Sequence, residues 1–190
     1  MNVRHSLIEG ITIIEPRVFD DPRGYFFESW NHIRYAEAGI DADFIQDNES
    51  KSRYGVLRGL HFQIPPYTQA KLVRVITGKV LDVALDIRRD SPTFGKYHAV
   101  ELSGENKRQL FVPRGFAHGF AVLSDEVIFT YKCDNVYMPS HERGIAFDDP
   151  ALAIDWQLPG ADLILSDRDW RHPRLSEIAT FTAREFAACH

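Results

Sequence analysis

Residues 71–87, KLVRVITGKVLDVALDI, decide the fold class. In the second half Leu81, Val83, Leu85 and Ile87 alternate with Asp82, Ala84 and Asp86, the two-residue period of a half-buried strand. In the first half Leu72, Val73, Val75 and Ile76 form another β-rich run, and Thr77-Gly78-Lys79 supplies a turn between the two. Similar runs occupy 10–14, 23–28, 43–47, 55–63, 97–102, 108–112, 116–123 and 126–132. A spacing of about a dozen residues predicts a mainly β protein, an antiparallel sandwich or barrel. Pro65-Pro66, Ser91-Pro92 and Pro113 punctuate the pattern and belong in loops or at edges.

Two helices are predicted. One covers 31–38, with Gly39 placed to end it. The other covers 174–188 after Pro173, with Leu175, Ile178, Ala179 and Phe186 roughly on one face. No linker, repeat or low-complexity tract interrupts the chain, so 1–190 reads as one domain with a C-terminal helical appendage.

Hydrophobic residues at 44% and charged residues at 26% match a globular chain and exclude disorder, collagen and coiled coil. A formal charge of -5 argues against a general nucleic-acid or acidic-membrane partner, while leaving room for a local basic pocket. No apolar run approaches the roughly 18 residues that span a bilayer. The N-terminal MNVRHSLIEGITIIEP is broken by Glu9 and Gly10 and lacks a secretory pattern. Cys133 and Cys189 make neither a disulfide framework nor a CxxC site, so a reduced, cytoplasmic setting is expected.

Five polar clusters interrupt the apolar runs: DPRGYFFE (21–28), QDN (46–48), RGLHFQ (58–63), PRGFAHGF (113–120) and LSDRD (165–169). Gln46, Arg58, His61 and Lys71 lie in strand-like runs. If they point inward they line a ligand cavity, and if outward a solvated face; single-strand alternation does not decide. A lone histidine is usually a satisfied structural residue. His61, however, shares its strand with Arg58 and precedes Lys71, whose ammonium suits an anionic intermediate. Asp169 is suited to orient the imidazole and raise its basicity.

A metal competes for these histidines, but His61-Phe62-Gln63 puts glutamine where a second ligand would stand. His118 needs two further donors and the other histidines sit in turn-like or terminal contexts, so no metal is expected. By themselves Tyr131 reads as a packing residue with a wet hydroxyl and Tyr137 as a loop aromatic. Arg23, Glu28, Glu142 and Arg168 read as solvated charges.

Taken together, PRGYFFES, QDNESKS, VLRGLHFQ, AKLVRV, DIRRDSPTFG, ENKRQLFVPRGFAHGF, TYKC and LSDRD follow one another in this order over nearly the whole chain. The set resembles the dTDP-4-dehydrorhamnose 3,5-epimerase family, cofactor-independent cupins of deoxysugar biosynthesis, with the stretch after about residue 174 outside the match. The resemblance implies a cupin-type jelly roll. It implies His61 as general base, Tyr131 as general acid, Asp169 as the base's partner and Lys71 beside the sugar's keto oxygen. Arg58 and His118 match further sugar or phosphate contacts. Arg23, Glu28, Gln46 and Asn48 match substrate-binding positions, as does Glu142, with Asp47 in the same run as Gln46. Tyr137 matches the aromatic that stacks on thymine. Arg168 departs from a frequent lysine, and a guanidinium is not equivalent to an ammonium.

The reaction so implied converts dTDP-4-dehydro-6-deoxy-D-glucose to dTDP-4-dehydro-L-rhamnose, with no cofactor. The resemblance also implies a homodimer in which Arg23 and Glu28 reach the neighbouring site. Three other readings stand beside it: an epimerase inverting one centre only, a metal-dependent cupin oxygenase, and a cupin that binds a nucleotide sugar without turnover.

Overall fold

The computed structural model describes residues 1–188, so Cys189 lies outside the described residues. In chain order the strands are β1 (Asn2–His5), β2 (Thr12–Glu15), β3 (Phe19–Asp21), β4 (Gly24–Phe26), β5 (Gln46–Arg53), β6 (Leu57–Gln63), β7 (Lys71–Thr77), β8 (Lys79–Asp86), β9 (Tyr97–Ser103), β10 (Gln109–Val112), β11 (Phe116–Val122), β12 (Glu126–Cys133) and β13 (Glu142–Gly144). A six-stranded sheet runs β1-β2-β10-β7-β12-β5 and a five-stranded sheet runs β13-β6-β11-β8-β9, while β3 and β4 form a separate hairpin. All of these strand pairings are antiparallel. The sheets do not close on themselves, which settles the choice between sandwich and barrel in favour of a jelly-roll sandwich.

The turn at 77–79 does more than a hairpin would. β7 pairs with β10 and β12, whereas β8 pairs with β9 and β11, so the chain crosses from one sheet to the other at Gly78. Nor is β8 half-buried, as its alternation predicts. Both faces are covered, and Asp82 and Asp86 are fully buried. Val80 and Ala84 point into the core between the sheets, with Val73, Val75, Phe120 and Phe129. Leu81, Val83, Leu85 and Ile87 point outward, where residues from the C-terminal part of the chain cover them. Asp86 is tolerated there because Arg88, Ser91 and Thr93 all donate hydrogen bonds to it.

That covering corrects the second predicted helix. Helical structure is confined to a 3-10 turn at Leu175–Glu177 and a short α-helix, α2 (Ala183–Ala187), with Phe181 bridged to Arg88 between them. Leu175 and Phe186 belong to the same core cluster as β6 and β8, each inserting from a separate turn. Burying a side chain such as Phe186 contributes about 1.5–3 kcal/mol. The segment is a wall of the core rather than an appendage. The helix at 31–38 is present as α1 (His32–Glu37), capped by Asn31 and followed by Gly39 at φ +84.

β5 also differs from expectation: the strand starts at Gln46 and continues through a polar run to Arg53, instead of covering 43–47. It is the edge of its sheet and its inward positions are the polar Gln46, Asn48, Ser50 and Ser52, so hydrophobic patterning had nothing to mark. No helix among the described residues is long and apolar enough to cross a membrane.

Candidate active site

Strand alternation selects which polar side chains meet inside the sandwich. On β5, Gln46, Asn48, Ser50 and Ser52 are shielded in turn while Asp47, Glu49, Lys51 and Arg53 are exposed. On β12, Tyr131 and Cys133 share the face of Phe129 and Val127, and on β7 Lys71 shares the face of Val73 and Val75. These inward residues of the six-stranded sheet face β6 and β11 of the other, around a cavity of about 620 Å³.

β6 needs a further device, because Arg58 and His61 are three residues apart and an unbroken strand would put them on opposite faces. His118 pairs with His61 and Phe120 with Arg58, so Gly59 and Leu60 together face Gly119 alone. This one-residue bulge re-aims the strand. Arg58, His61 and Gln63 line the cavity, while Leu57, Leu60 and Phe62 enter the outer core cluster. Gly59 has φ +125, and a Cβ on it would sit 2.5 Å from Gly119 Cα, so only glycine fits.

His61 Nε2 is 2.5 Å from Asp169 Oδ1, a strong charge-assisted contact. The nitrogen free to meet a ligand is therefore Nδ1. Asp169 is buried, and Ser166 Oγ donates to its Oδ2 at 2.9 Å. Burial alone would raise its pKa, but His172, His61 and Ser166 outweigh burial and hold the carboxyl well below the usual range. Across the cavity, burial is the main cause that raises the Tyr131 phenol above its ordinary value, so it keeps its proton at neutral pH. Lys71 Nζ lies 5.8 Å from the Tyr131 ring centroid. Burial pulls the Lys71 ammonium below the ordinary lysine value, against Glu142 and Asp82, which push it back up.

His118 lines the same cavity with Nε2 bound to both oxygens of Asp82, at 2.9 and 3.0 Å. At the rim, Tyr137 Oη donates to Glu142 Oε2 at 2.7 Å, and Arg168 bonds to the same oxygen. Burial would raise the Glu142 carboxyl, yet these two donors keep it below its ordinary value. Arg58 reaches Ser52 Oγ through Nε and a terminal nitrogen, and Tyr137 N donates to Gln46 Oε1.

His61, Tyr131, Asp169, Lys71, Gln46, Asn48, Arg58, His118, Tyr137, Glu142 and Arg168 thus surround one cavity. Three of the sequence-derived candidates do not. Asp47 alternates out of the cavity and pairs with Lys132 on the opposite face of the sheet. Arg23 sits in the exposed β3–β4 hairpin bound to Asp21, and Glu28 pairs with Arg34. The sequence missed Asp82, taken for a solvent-facing alternate, and His172, set aside as a turn residue.

His172 also alters the metal count. Its ring joins His61 and Asp169 in a group whose donor atoms lie within 4.8 Å of one another. Two of these three donor atoms, His61 Nε2 and Asp169 Oδ1, are bonded to each other at 2.5 Å.

A base backed by a carboxylate, facing a protonated phenol and a lysine within a jelly-roll sandwich, is the equipment of a cupin-type sugar epimerase. The family model for dTDP-4-dehydrorhamnose 3,5-epimerase matches residues 5–177. A protein of that name from Shigella flexneri is 55% identical over 170 residues, 89% of this chain and 93% of its own. The Legionella pneumophila enzyme, crystallised in complex with dTDP-4-keto-L-rhamnose, superposes with a TM-score of 0.91 at 49% identity, covering 97% of this chain and 96% of that one. A 3'-monoepimerase from Streptomyces bikiniensis superposes with a TM-score of 0.89 at 31% identity, covering 96% and 94%. The chain belongs to the dTDP-4-dehydrorhamnose 3,5-epimerase family.

Proposed function

We propose that this chain inverts C3 and C5 of dTDP-4-dehydro-6-deoxy-D-glucose to give dTDP-4-dehydro-L-rhamnose. The observation that carries this is the placement of His61 and Tyr131 on opposing sheets around one cavity. The C4 ketone of the substrate acidifies the hydrogens on C3 and C5. His61 Nδ1 removes one of them, and the Lys71 ammonium stabilises the enolate oxygen that results. Tyr131, kept protonated by its burial, returns a proton to the opposite face of the carbon. Once His61 has released its proton to solvent and Tyr131 has taken one up, the same cycle at the second carbon completes the conversion without a redox carrier.

Arg58, Lys71 and Arg168 give the cavity local positive charge despite the chain's net -5, which suits a nucleoside diphosphate. Tyr137 stacks on the thymine, and Gln46, Asn48, His118 and Glu142 hold the sugar and nucleotide. Arg23 and Glu28 act in trans in a homodimer. In support, Phe19, Tyr25 and Phe26 of the β3–β4 hairpin are exposed beside Arg23, an apolar surface suited to a partner. The chain works as one domain in the cytoplasm, in keeping with its cysteine usage.

A single-centre epimerase would use the same base and acid. The Shigella and Legionella 3,5-epimerases, at 55% and 49% identity, resemble this chain more than the 3'-monoepimerase does at 31%. Incubation with the dTDP-keto sugar in deuterated water separates the two. Deuterium at both C3 and C5 with the L-rhamno product is expected, and stable inversion at one carbon alone would replace the two-centre reading. In the same assay Tyr131→Phe is expected to exchange substrate hydrogen while forming little inverted product; a normal product rate would move the acid role to another group.

A further inference from the structure

Buried polar atoms without a hydrogen-bond partner are rare. Among the described residues they are His98 Nε2 and His172 Nε2. The second sits beside the proposed base. His172 follows the 3-10 turn Asp169–Arg171, and the next residue, Pro173, accepts a hydrogen bond from Ala146 N at 2.8 Å, which pins this stretch to the chain leaving β13. The His172 side chain is only 8% exposed. Its Nε2 lies 3.3 Å from Asp169 Oδ1, the oxygen that also holds His61, but off the line of a good hydrogen bond. The two imidazoles meet edge to face, with centroids 5.5 Å apart.

The space for that ring comes from a glycine. Gly144 is the β13 residue directly opposite His61, and a Cβ built on it would fall well inside van der Waals contact of the His172 imidazole. A bare nitrogen lone pair facing a carboxylate would be repelled, so the proton of His172 belongs on Nε2, with the N–H end toward Asp169.

We propose that His172 is a positioning residue of the His61–Asp169 pair, its N–H turned toward the carboxylate oxygen that holds His61 and drawing off part of that oxygen's charge. This rests on His61 being the base of the reaction proposed above. The other ionisable groups around the ring push in different directions. Glu142 from β13 favours a charged imidazole. Arg168, paired with Glu142, and Lys71 on the facing sheet oppose it. His118 on β11 is occupied by Asp82, and Tyr131 stays neutral. Of these groups only His172 acts through Asp169 itself.

His172→Phe keeps a ring against Gly144 and removes the N–H. The acid limb of the pH–rate profile is expected to move to higher pH by about one unit. The ¹⁵N titration midpoint of the His61 ring, read without substrate, should move with it. His172→Gln replaces Nε2 with an amide N–H and is expected to restore both midpoints. Gly144→Ala, which pushes an intact His172 aside, is expected to reproduce the phenylalanine shift, and to add nothing further in the His172→Phe background. An unchanged His61 midpoint in His172→Phe, or in Gly144→Ala should the phenylalanine variant not fold, would overturn the assignment. A wild-type protein that fails to epimerise the sugar would sink the proposed reaction instead, leaving the substrate-free titration to be judged alone.

Discussion

β6 and β11 each present a histidine backed by an aspartate, and the two histidines stand opposite each other in register. The pairs differ in where the carboxylate comes from and in how much water reaches the ring. Asp82 lies within β8, fully buried, and both its oxygens hold His118, whose side chain is 8% exposed. Asp169 arrives from a 3-10 turn outside the sheets, binds through one oxygen, and leaves His61 27% exposed. A partner built into the sheet holds the ring rigid, so that it meets a ligand in one fixed position. A partner on a turn fixes the orientation while leaving a nitrogen available, as proton transfer requires.

The contrast can be broken from either side. His61→Ala is expected to cut kcat by on the order of a thousandfold, the usual range for a lost general base, with nucleotide affinity retained. Titration with dTDP alongside turnover checks both halves. Asp82→Ala is expected to act on stability instead, because it strands His118 in a buried site. A loss of about 3 kcal/mol, read as a fall in Tm of roughly 5–10 °C, is expected. If Asp82→Ala melted normally while turnover vanished, the two pairs would not divide the labour this way. Asp47 supplies the floor of the scale. Its pair with Lys132 lies on the exposed face of the six-stranded sheet, and such pairs contribute about 0–1 kcal/mol. Asp47→Ala should leave both kcat/KM and Tm close to wild type in parallel assays.

How much of this was legible in the sequence depends on what kind of signal each feature leaves. Strand periodicity located most of the sheet, and conspicuous motifs such as LRGLHFQ and PRGFAHGF carried the family resemblance and most of the cavity residues. Periodicity could not say which side of a strand faced which layer. Leu81 and Val83 met the C-terminal wall while Asp82 turned toward His118, the reverse of the simple expectation. The same blindness carried Asp47 into the candidate site along with its neighbours, although a two-residue period through QDN already separates the middle residue from the outer two. His172 left no signal at all, because its contact with Asp169 depends on the turn at 169–171 and on the vacancy at Gly144. The C-terminal stretch reads as one helix because Leu175 and Phe186 are both apolar anchors, and anchors in separate turns imitate the face of one helix.

The surplus residue at Gly59–Leu60 carries a consequence for how this chain can change. Upstream and downstream of it, odd and even positions trade roles, so the strand behaves as two half-strands spliced out of phase. Deleting Gly59 would leave Arg58 and His61 two residues apart, close the bulge and keep His61 and Gln63 facing the cavity. One residue added between Leu60 and His61 would instead turn His61 and Gln63 into the greasy outer layer and thrust Phe62 at the sugar. The strand is therefore more sensitive to an insertion after the bulge than to the loss of the bulge itself.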